Sequence, residues 1–224
     1  MNEIKAVIFD MDGVIVDSEP LWRMAESKVF NDFGIPITEE MCFQTTGLRI
    51  DEVVNYWRQR YEFSAPNADV ENAIMDQVIT EIQTQSEPMP GAVELITALN
   101  QSEIPLAVCS SSPSILIETV LERFSISEKF QTFASAEHLN FGKPHPEVYL
   151  KGAQQLGLKP QHCLAIEDSV NGVIAAKAAR MTAVAIPESS EYERKAFGVA
   201  DGKYRSLVEL HHHMTTWLPQ LKAE

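Results

Sequence analysis

Two aspartates spaced one residue apart follow a short apolar run near the start of the chain. The run covers residues 6–9, and the acids are Asp10 and Asp12. Alternate side chains of an extended backbone share a direction, so both carboxylates can act on one bound atom. Two like charges that close need a partner, either a hard divalent cation such as Mg²⁺ or a shared proton. The alternative is a surface Asp-x-Asp-Gly turn, which Gly13 permits.

A group of serines follows a second apolar run, at residues 106–109. The serines are Ser110, Ser111 and Ser112, and Pro113 then begins a predicted helix. Hydroxyl groups and free backbone N–H groups at the start of a helix can bind an anion. Serines also cap helices for structural reasons alone, so this motif by itself leaves both interpretations open.

Two further motifs carry charge. Lys143 lies in the segment GKPHPEVY, and Glu167 and Asp168 follow an apolar run at residues 163–166. A lone loop lysine is usually a solvated charge, but in an acidic chain Lys143 is one of few cations near a candidate site, and an anionic ligand would need such a local cation. Adjacent acids after a buried strand are costly to enclose without a partner. A bound cation would remove that cost, whereas capping of the next helix by Ser169 would not.

The elements that must position these motifs alternate between strand and helix beyond Pro90. The predicted strands are residues 6–9, 106–109, 130–134, 163–166 and 182–186. Such alternation is typical of a parallel sheet wrapped by helices. Ligands of such sheets bind beyond the carboxyl ends of the strands, where the acids and serines would stand.

Residues 18–86 differ from the rest because they are predicted to be helical throughout. Apolar residues recur at helical spacing, and the first stripe runs from Trp22 to Phe33. The stripes are expected to pack on one another as a small bundle, since no strand intervenes for them to cover. The block is therefore predicted to be a helical insertion (18–86) in an α/β core (1–17 and 87–224), with a hinge at its two connections.

Composition restricts the partners and the compartment. The 224 residues are 45% apolar and 22% charged, as in a globular protein, and the formal charge of −14 argues against nucleic acid. The three cysteines are odd in number and widely spaced, which indicates buried thiols in a reducing compartment. Neither a leader nor a membrane-spanning run is recognisable. We expect a cytoplasmic, monomeric enzyme with no membrane partner and a small-molecule substrate.

The string DMDGVIVDSE resembles the first motif, DxDGxLxDS, of the haloacid dehalogenase superfamily. The serine, lysine and acidic motifs follow in that family's order around a cap, so the resemblance covers nearly the whole chain. It implies an α/β fold, a Rossmann-like doubly wound parallel sheet core with an inserted helical cap domain. It also implies an enzyme that forms an aspartyl-phosphate.

The resemblance implies catalytic and phosphate-binding roles for five residues. Asp10 would be the nucleophile, and Asp12 the general acid/base that protonates the leaving alcohol and then takes a proton from water. A raised pKa of one of the two neighbouring carboxyls is the physical means for that proton transfer. Lys143 would be catalytic as the cation, and with Asp10 and Asp12 it would bind the phosphate. The Ser110 hydroxyl and the Ser111 amide would complete that site.

The metal implied by the resemblance is Mg²⁺. Its ligands would be Asp10, the backbone carbonyl of Asp12, and Asp168, and Glu167 would reach it through water. Acidic side chains of this kind are the oxygen donors that Mg²⁺ prefers.

Within the superfamily the chain is most similar to the β-phosphoglucomutase-like branch, and there to sugar-phosphate phosphatases that read DSEPLW and TTGLRIDEVV. Two positions depart from the mutase. Trp22 stands where the mutase has a histidine, and Ile50 stands where it has an arginine when the two are aligned on Gly47, with Arg49 one position earlier. The sequence thus predicts an Mg²⁺-dependent phosphatase of hexose 6-phosphates such as 2-deoxyglucose 6-phosphate, or of hexitol phosphates. A sugar phosphomutase and an inactive metabolite- or partner-binding homologue are the alternatives.

Overall fold

A computed structural model of the chain describes residues 3–46, 48–214, 218 and 221. Gly47, on which the mutase comparison is aligned, lies outside the described residues. The chain divides into two compact units. We call Ser18–Ser86 the helical unit, and Met1–Asp17 with Glu87–Glu224 the α/β unit.

The helical unit contains four helices that pack on one another. They are α1 (Glu19–Asp32), α2 (Glu39–Cys42), α3 (Ile50–Arg58) and α4 (Asn67–Gln85). Helix α1 contacts α2 and α4, and α3 also contacts α4. Phe30 and Trp57 are buried and meet edge to face, with ring centroids 6.5 Å apart. The unit is therefore a bundle with its own apolar core, as the stripes predict. Ser18 precedes α1 but does not cap it with its side chain.

The α/β unit is built on six parallel strands in the order β3-β2-β1-β4-β5-β6. The strands are β1 (Ala6–Phe9), β2 (Leu106–Ser110), β3 (Thr132–Ser135), β4 (Cys163–Glu167), β5 (Thr182–Ala185) and β6 (Gly202–Lys203). The chain runs outward from β1 to β3 and then returns to β4 on the other side of β1. The crevice at such a reversal, beyond the carboxyl ends of the strands, is where open α/β sheets bind ligands.

Helices precede, connect and follow these strands. They are α5 (Ala92–Gln101), α6 (Ser114–Arg123), α7 (Glu147–Gln155), α8 (Val170–Ala178) and α9 (Leu207–Met214), with short 3-10 helices at Ser127–Lys129, Pro160–His162 and Lys195–Val199. Every residue of β1, β2 and β4 is buried. This burial explains why these strands are apolar runs without alternation, since both faces of the sheet are covered. Within the described residues, no helix has the length and apolar character needed to cross a membrane.

The sequence-based strands are close to those observed, with two differences. The strand predicted at residues 130–134 begins only at Thr132, and β6 was not predicted. Strand β6 has two residues and forms through pairing with β5, where Val184 lies opposite Gly202. A strand that short leaves no periodic pattern in the sequence.

A buried acid lies in the helical unit. Glu26 of α1 is 6% exposed and accepts a hydrogen bond from Thr45 Oγ1 at 3.3 Å. Burial raises the pKa of Glu26 from 4.5 to about 7. The folded state therefore retains a proton on Glu26 over a pH range in which the unfolded chain has lost it.

We predict that this proton makes the free energy of unfolding fall as the pH rises from 4.5 to 7, because the folded state binds more protons there. The fall attributable to Glu26 is about 3 kcal/mol at 1.36 kcal/mol per pKa unit. Glu26→Gln should lose this pH dependence, whereas Glu40→Gln, at an exposed position of α2, should keep it. Urea unfolding followed by tryptophan fluorescence between pH 4.5 and 8 measures the difference. Parallel curves for Glu26→Gln and the wild type would contradict the prediction.

Candidate active site

The first aspartate continues the centre of the sheet, and the second stands in a tight turn. The Asp10 N–H donates to the Ile166 carbonyl at 2.9 Å, which holds Asp10 between the ends of β1 and β4. In the turn that follows, the Gly13 N–H donates to the Val16 carbonyl at 2.9 Å. Gly13 has a φ of +71°, a conformation that favours glycine. Asp10 is consequently buried, while Asp12 is half-buried.

Lys143 lies between two carboxylates. Its Nζ is 2.8 Å from Asp10 Oδ1 and 2.7 Å from Glu167 Oε1, and all three side chains are buried. Burial favours the neutral amine, but the Asp10 and Glu167 carboxylates raise the pKa of Lys143 well above its usual range. Lys143 is therefore a fixed positive charge at the end of the sheet.

The charge on Asp10 is only partly balanced. Burial is the main cause that raises the pKa of Asp10 well above its usual value, and the Glu167 carboxylate adds to it. Lys143 opposes both effects. The raised pKa that was expected at one of the two aspartates is thus found at Asp10. Additional positive charge near Asp10 would favour its ionised carboxylate.

Three acids meet at this point. Ligand atoms of Asp10, Glu167 and Asp168 all lie within 4.8 Å of one another. A Cβ atom built on Gly13 would lie 2.2 Å from Asp168 Oδ2, so the first turn leaves room for the Asp168 carboxylate only because residue 13 is glycine. Three clustered carboxylates, two of them paired with one ammonium, carry an excess of negative charge. The arrangement therefore fits a hard divalent cation that takes oxygen ligands.

The serine loop after β2 faces Asp12. Ser112 Oγ donates to Asp12 Oδ2 at 2.7 Å, and Ser110 Oγ donates to the same oxygen at 3.3 Å. Ser110 Oγ also accepts a hydrogen bond from the Ser112 N–H at 3.0 Å. Ser135 Oγ fixes the loop by donating to the Ser112 carbonyl at 2.7 Å. The serines thus contact Asp12, and the half-buried Ser111 follows β2 directly.

The serines do not cap helix α6. Its first residue is Ser114, whose N–H donates to Glu137 Oε2 at 3.2 Å. A carboxylate from the segment after β3 therefore occupies an N–H group at the start of this helix, which an anion would otherwise contact. The serine side chains therefore do not cap the following helix, which was the alternative interpretation of this motif.

Sequence reasoning did not find Tyr149, and it did not connect Ser112 or Gly172 with an acid of the site. The Tyr149 hydroxyl of α7 donates to Glu167 Oε1, and Ser112 donates to Asp12. Gly172 of α8 is so close to Glu167 that an added Cβ would lie 1.9 Å from its Oε1. Sequence could place Gly172 two residues beyond the start of a helix, but not opposite a buried carboxylate. Ser169 caps α8 as expected, since its Oγ accepts from the Gly172 N–H at 3.0 Å.

Comparison with known proteins identifies the family. The model of the haloacid dehalogenase-like hydrolases matches residues 4–180. The chain belongs to this family.

Relatives in this haloacid dehalogenase-like family have phosphatase names. Hexitol phosphatase B of Escherichia coli is 40% identical over 211 residues, which cover 93% of this chain and 95% of that protein. A phosphorylated carbohydrates phosphatase of Thermotoga maritima is 29% identical over 176 residues, covering 79% of this chain and 82% of the relative.

Solved structures of the family share the fold. The structure of CbbY from Rhodobacter sphaeroides in complex with phosphate is 26% identical with a TM-score of 0.83, covering 92% of this chain and 96% of that one. The structure of β-phosphoglucomutase from Clostridium difficile is 25% identical with a TM-score of 0.81, covering 96% and 98%. The predicted family, the Rossmann-like α/β fold class and a hydrolytic enzyme are thereby confirmed.

The residues predicted for the site lie together in the α/β unit. Asp10 and Asp12 follow β1, Ser110 and Ser111 mark the end of β2, and Glu167 and Asp168 mark the end of β4, with Lys143 in contact with Asp10 and Glu167. Glu167 differs most from the expectation. It is the last residue of β4, is fully buried, and accepts hydrogen bonds from Lys143, Tyr149 and Ser169. Its part in a metal site stays a prediction.

We expect Ser112→Ala to lower the turnover number roughly 10- to 100-fold, because it removes the shorter of the two serine hydroxyl bonds to Asp12, and a bond to a charged group contributes roughly 1.5–3 kcal/mol. The measurement is the steady-state hydrolysis of a chromogenic phosphate ester. The control is Ser114→Ala, since Ser114 makes its contact to Glu137 with its backbone N–H, which alanine keeps. An unchanged turnover number in Ser112→Ala would show that the contact has no catalytic importance.

Proposed function

We propose that this chain is an Mg²⁺-dependent phosphatase of small sugar phosphates. The substrates would be hexose 6-phosphates such as 2-deoxyglucose 6-phosphate, or hexitol phosphates. The observation that carries the proposal is the Asp10 carboxylate 2.8 Å from the buried Lys143 ammonium, at the end of β1, with Asp12 two residues further on. The hexitol and carbohydrate phosphatases among the relatives support this substrate class.

The residues for Mg²⁺ would be Asp10, the backbone carbonyl of Asp12, and Asp168, with Glu167 beside them. When bound, the ion supplies positive charge that reduces the repulsion between the Asp10 carboxylate and a phosphate ester. The excess of negative charge in the cluster of Asp10, Glu167 and Asp168, and the space that Gly13 leaves for Asp168, support this assignment.

The chemical steps use the aspartates. Asp10 Oδ attacks phosphorus in line, the bond from phosphorus to the sugar oxygen breaks, and Asp12 protonates that oxygen. Asp12 then takes a proton from water as the water oxygen attacks phosphorus, and the bond to Asp10 breaks to release inorganic phosphate. Throughout, Lys143 balances the charge on Asp10. Ser110 and Ser111 bind the transferred phosphate oxygens with a hydroxyl and an amide.

The helical unit would act as the cap that selects the leaving group and excludes water. We also assign the enzyme to the cytoplasm. In support of that compartment, Cys42, Cys109 and Cys163 are free and buried thiols.

A sugar phosphomutase is the second candidate, since a β-phosphoglucomutase shares the fold. That reaction requires a bisphosphate intermediate and therefore a cation for a second phosphate. Within the helical unit, Arg49 already pairs with Asp51 through two contacts, at 2.5 Å from Nε and 2.7 Å from Nη2. The pair lowers the pKa of Asp51, so both groups are charged and offset each other. Because Arg49 is already paired with Asp51, its charge is not available in full for a second phosphate. The pairing therefore favours transfer of the phosphoryl group to water over transfer to a sugar phosphate.

We predict that the wild type hydrolyses hexose or hexitol phosphates in a panel of phosphorylated metabolites with Mg²⁺, and that a chelator abolishes the activity. Asp10→Asn should lose turnover by at least about 10³-fold while it still binds substrate, because the amide keeps the shape but is not a nucleophile. Phosphate release reports turnover, and calorimetry with substrate reports binding. Turnover like that of the wild type in Asp10→Asn would exclude the covalent scheme, and full activity in chelator would exclude the metal.

The mutase alternative makes a different prediction. Given β-glucose 1-phosphate and a catalytic amount of the bisphosphate, we expect release of inorganic phosphate to exceed formation of glucose 6-phosphate. Both products are followed in the same reaction by coupled assays. Faster formation of glucose 6-phosphate would overturn the phosphatase proposal and make Arg49→Ala the next variant to study.

A further inference from the structure

The fully buried Tyr149 contacts the centre of the charge network. Its hydroxyl donates to Glu167 Oε1, to which Lys143 Nζ also donates at 2.7 Å. The other oxygen, Oε2, accepts from Ser169 Oγ at 3.1 Å and from the Ser169 N–H at 3.4 Å. A carboxylate has about four lone-pair positions, so these donors occupy Glu167 on both oxygens.

We propose that Tyr149 is a positioning residue for phosphoryl transfer, which orients Glu167 and through it the Lys143 ammonium. The inference rests on the proposed function. Lys143 is shared almost evenly, at 2.8 Å from Asp10 and 2.7 Å from Glu167. The Tyr149 hydroxyl takes up part of the negative charge of the oxygen that competes with Asp10 for this ammonium. Without it, Lys143 moves towards Glu167 and leaves the nucleophile less well balanced.

The packing around Tyr149 gives these contacts little freedom. Gly152, one turn further along α7, is so close to β2 that an added Cβ would lie 2.3 Å from Cys109 Sγ. This close approach of α7 brings the Tyr149 ring centroid to 5.2 Å from Lys143 Nζ, where the ring face attracts a cation. Gly172 of α8 leaves space for the Glu167 carboxylate, since an added Cβ would lie 1.9 Å from its Oε1. The Tyr149 hydroxyl is thus held against Glu167 by two close approaches of helix to sheet.

A purely structural role is the competing explanation, since a buried tyrosine hydroxyl needs some hydrogen-bond partner. Glu167 would then be only that partner, and the loss of the hydroxyl would affect stability without affecting chemistry. The two explanations differ in whether the effect of Tyr149 on turnover passes through Glu167. Tyr149→Phe separates them because it keeps the ring and its packing and removes only the hydroxyl.

We expect Tyr149→Phe to lower the turnover number for p-nitrophenyl phosphate about tenfold, the loss that corresponds to a hydrogen bond to a charged group. The Michaelis constant should change by less than about twofold, because transition-state charge is what Lys143 balances. Tyr192→Phe is the matched control, since Tyr192 also contacts a lysine, Lys203, through its ring but lies outside the site. An unchanged turnover number in Tyr149→Phe, or an equal loss in Tyr192→Phe, would overturn the proposal.

A double-mutant cycle with Glu167→Gln tests the route of the effect. If Tyr149 acts through Glu167, adding Tyr149→Phe to Glu167→Gln should lower turnover by less than about twofold further. If the loss of turnover in the double variant equals the product of the losses in the two single variants, Tyr149 does not act through Glu167.

The position of Lys143 can be measured without turnover. The side-chain ammonium signal of Lys143 in ¹⁵N-lysine NMR, assigned by its loss in Lys143→Arg, should shift in Tyr149→Phe and stay in place in Tyr192→Phe. An unchanged signal in Tyr149→Phe would overturn the positioning role even if the wild type hydrolysed no phosphate ester. Absence of wild-type activity, by contrast, would count against the proposed function and leave the NMR result to decide the role of Tyr149.

Discussion

The Lys143 ammonium, buried between two carboxylates, is the interaction on which the α/β unit depends. Enclosing an ion costs several kcal/mol unless a partner and hydrogen bonds compensate it. The fold meets this requirement by placing Asp10 directly after β1 and Glu167 at the end of the neighbouring β4, so that one ammonium reaches both. The acids clustered at this point also require glycine at residues 13 and 172, because a Cβ atom at either position would collide with one of them.

The same network separates the tasks of the two aspartates. Asp10 is buried among charges, which raises its pKa and makes its ionised form depend on nearby cations. Asp12 is only half-buried and is held by the hydroxyls of Ser110 and Ser112. The proposed mechanism uses this difference, with Asp10 as the group that attacks phosphorus and Asp12 as the group that exchanges protons with the leaving group and water.

The sequence predicts much of this arrangement, because strands buried on both faces are apolar runs and the acids stand where those runs stop. Tyr149 could not be found in this way, since a tyrosine on the buried face of a helix has the pattern of any core aromatic residue. Ser112 could not be distinguished from a capping serine until its contact with Asp12 was known. Periodicity reports which side chains are buried, but not which partner a buried polar group meets across the fold. The two-residue β6 likewise depends on pairing with β5 alone.

The described residues of the α/β unit fit the proposed phosphatase and the alternative mutase alike, so under either proposal the fate of a phosphorylated Asp10 would depend on charge elsewhere. Residues 18–86 contain twelve acidic and five basic side chains. Among the basic ones, Arg49 pairs with Asp51, and Arg58 donates to the backbone carbonyl of Phe63 and to Asn67. If the helical unit acts as the proposed cap, this excess of negative charge would disfavour a substrate with a second phosphate, which carries roughly −1.5 to −2 charge. The proposed cap would accept a leaving group that presents only hydroxyls, which is what a sugar or hexitol monophosphate offers.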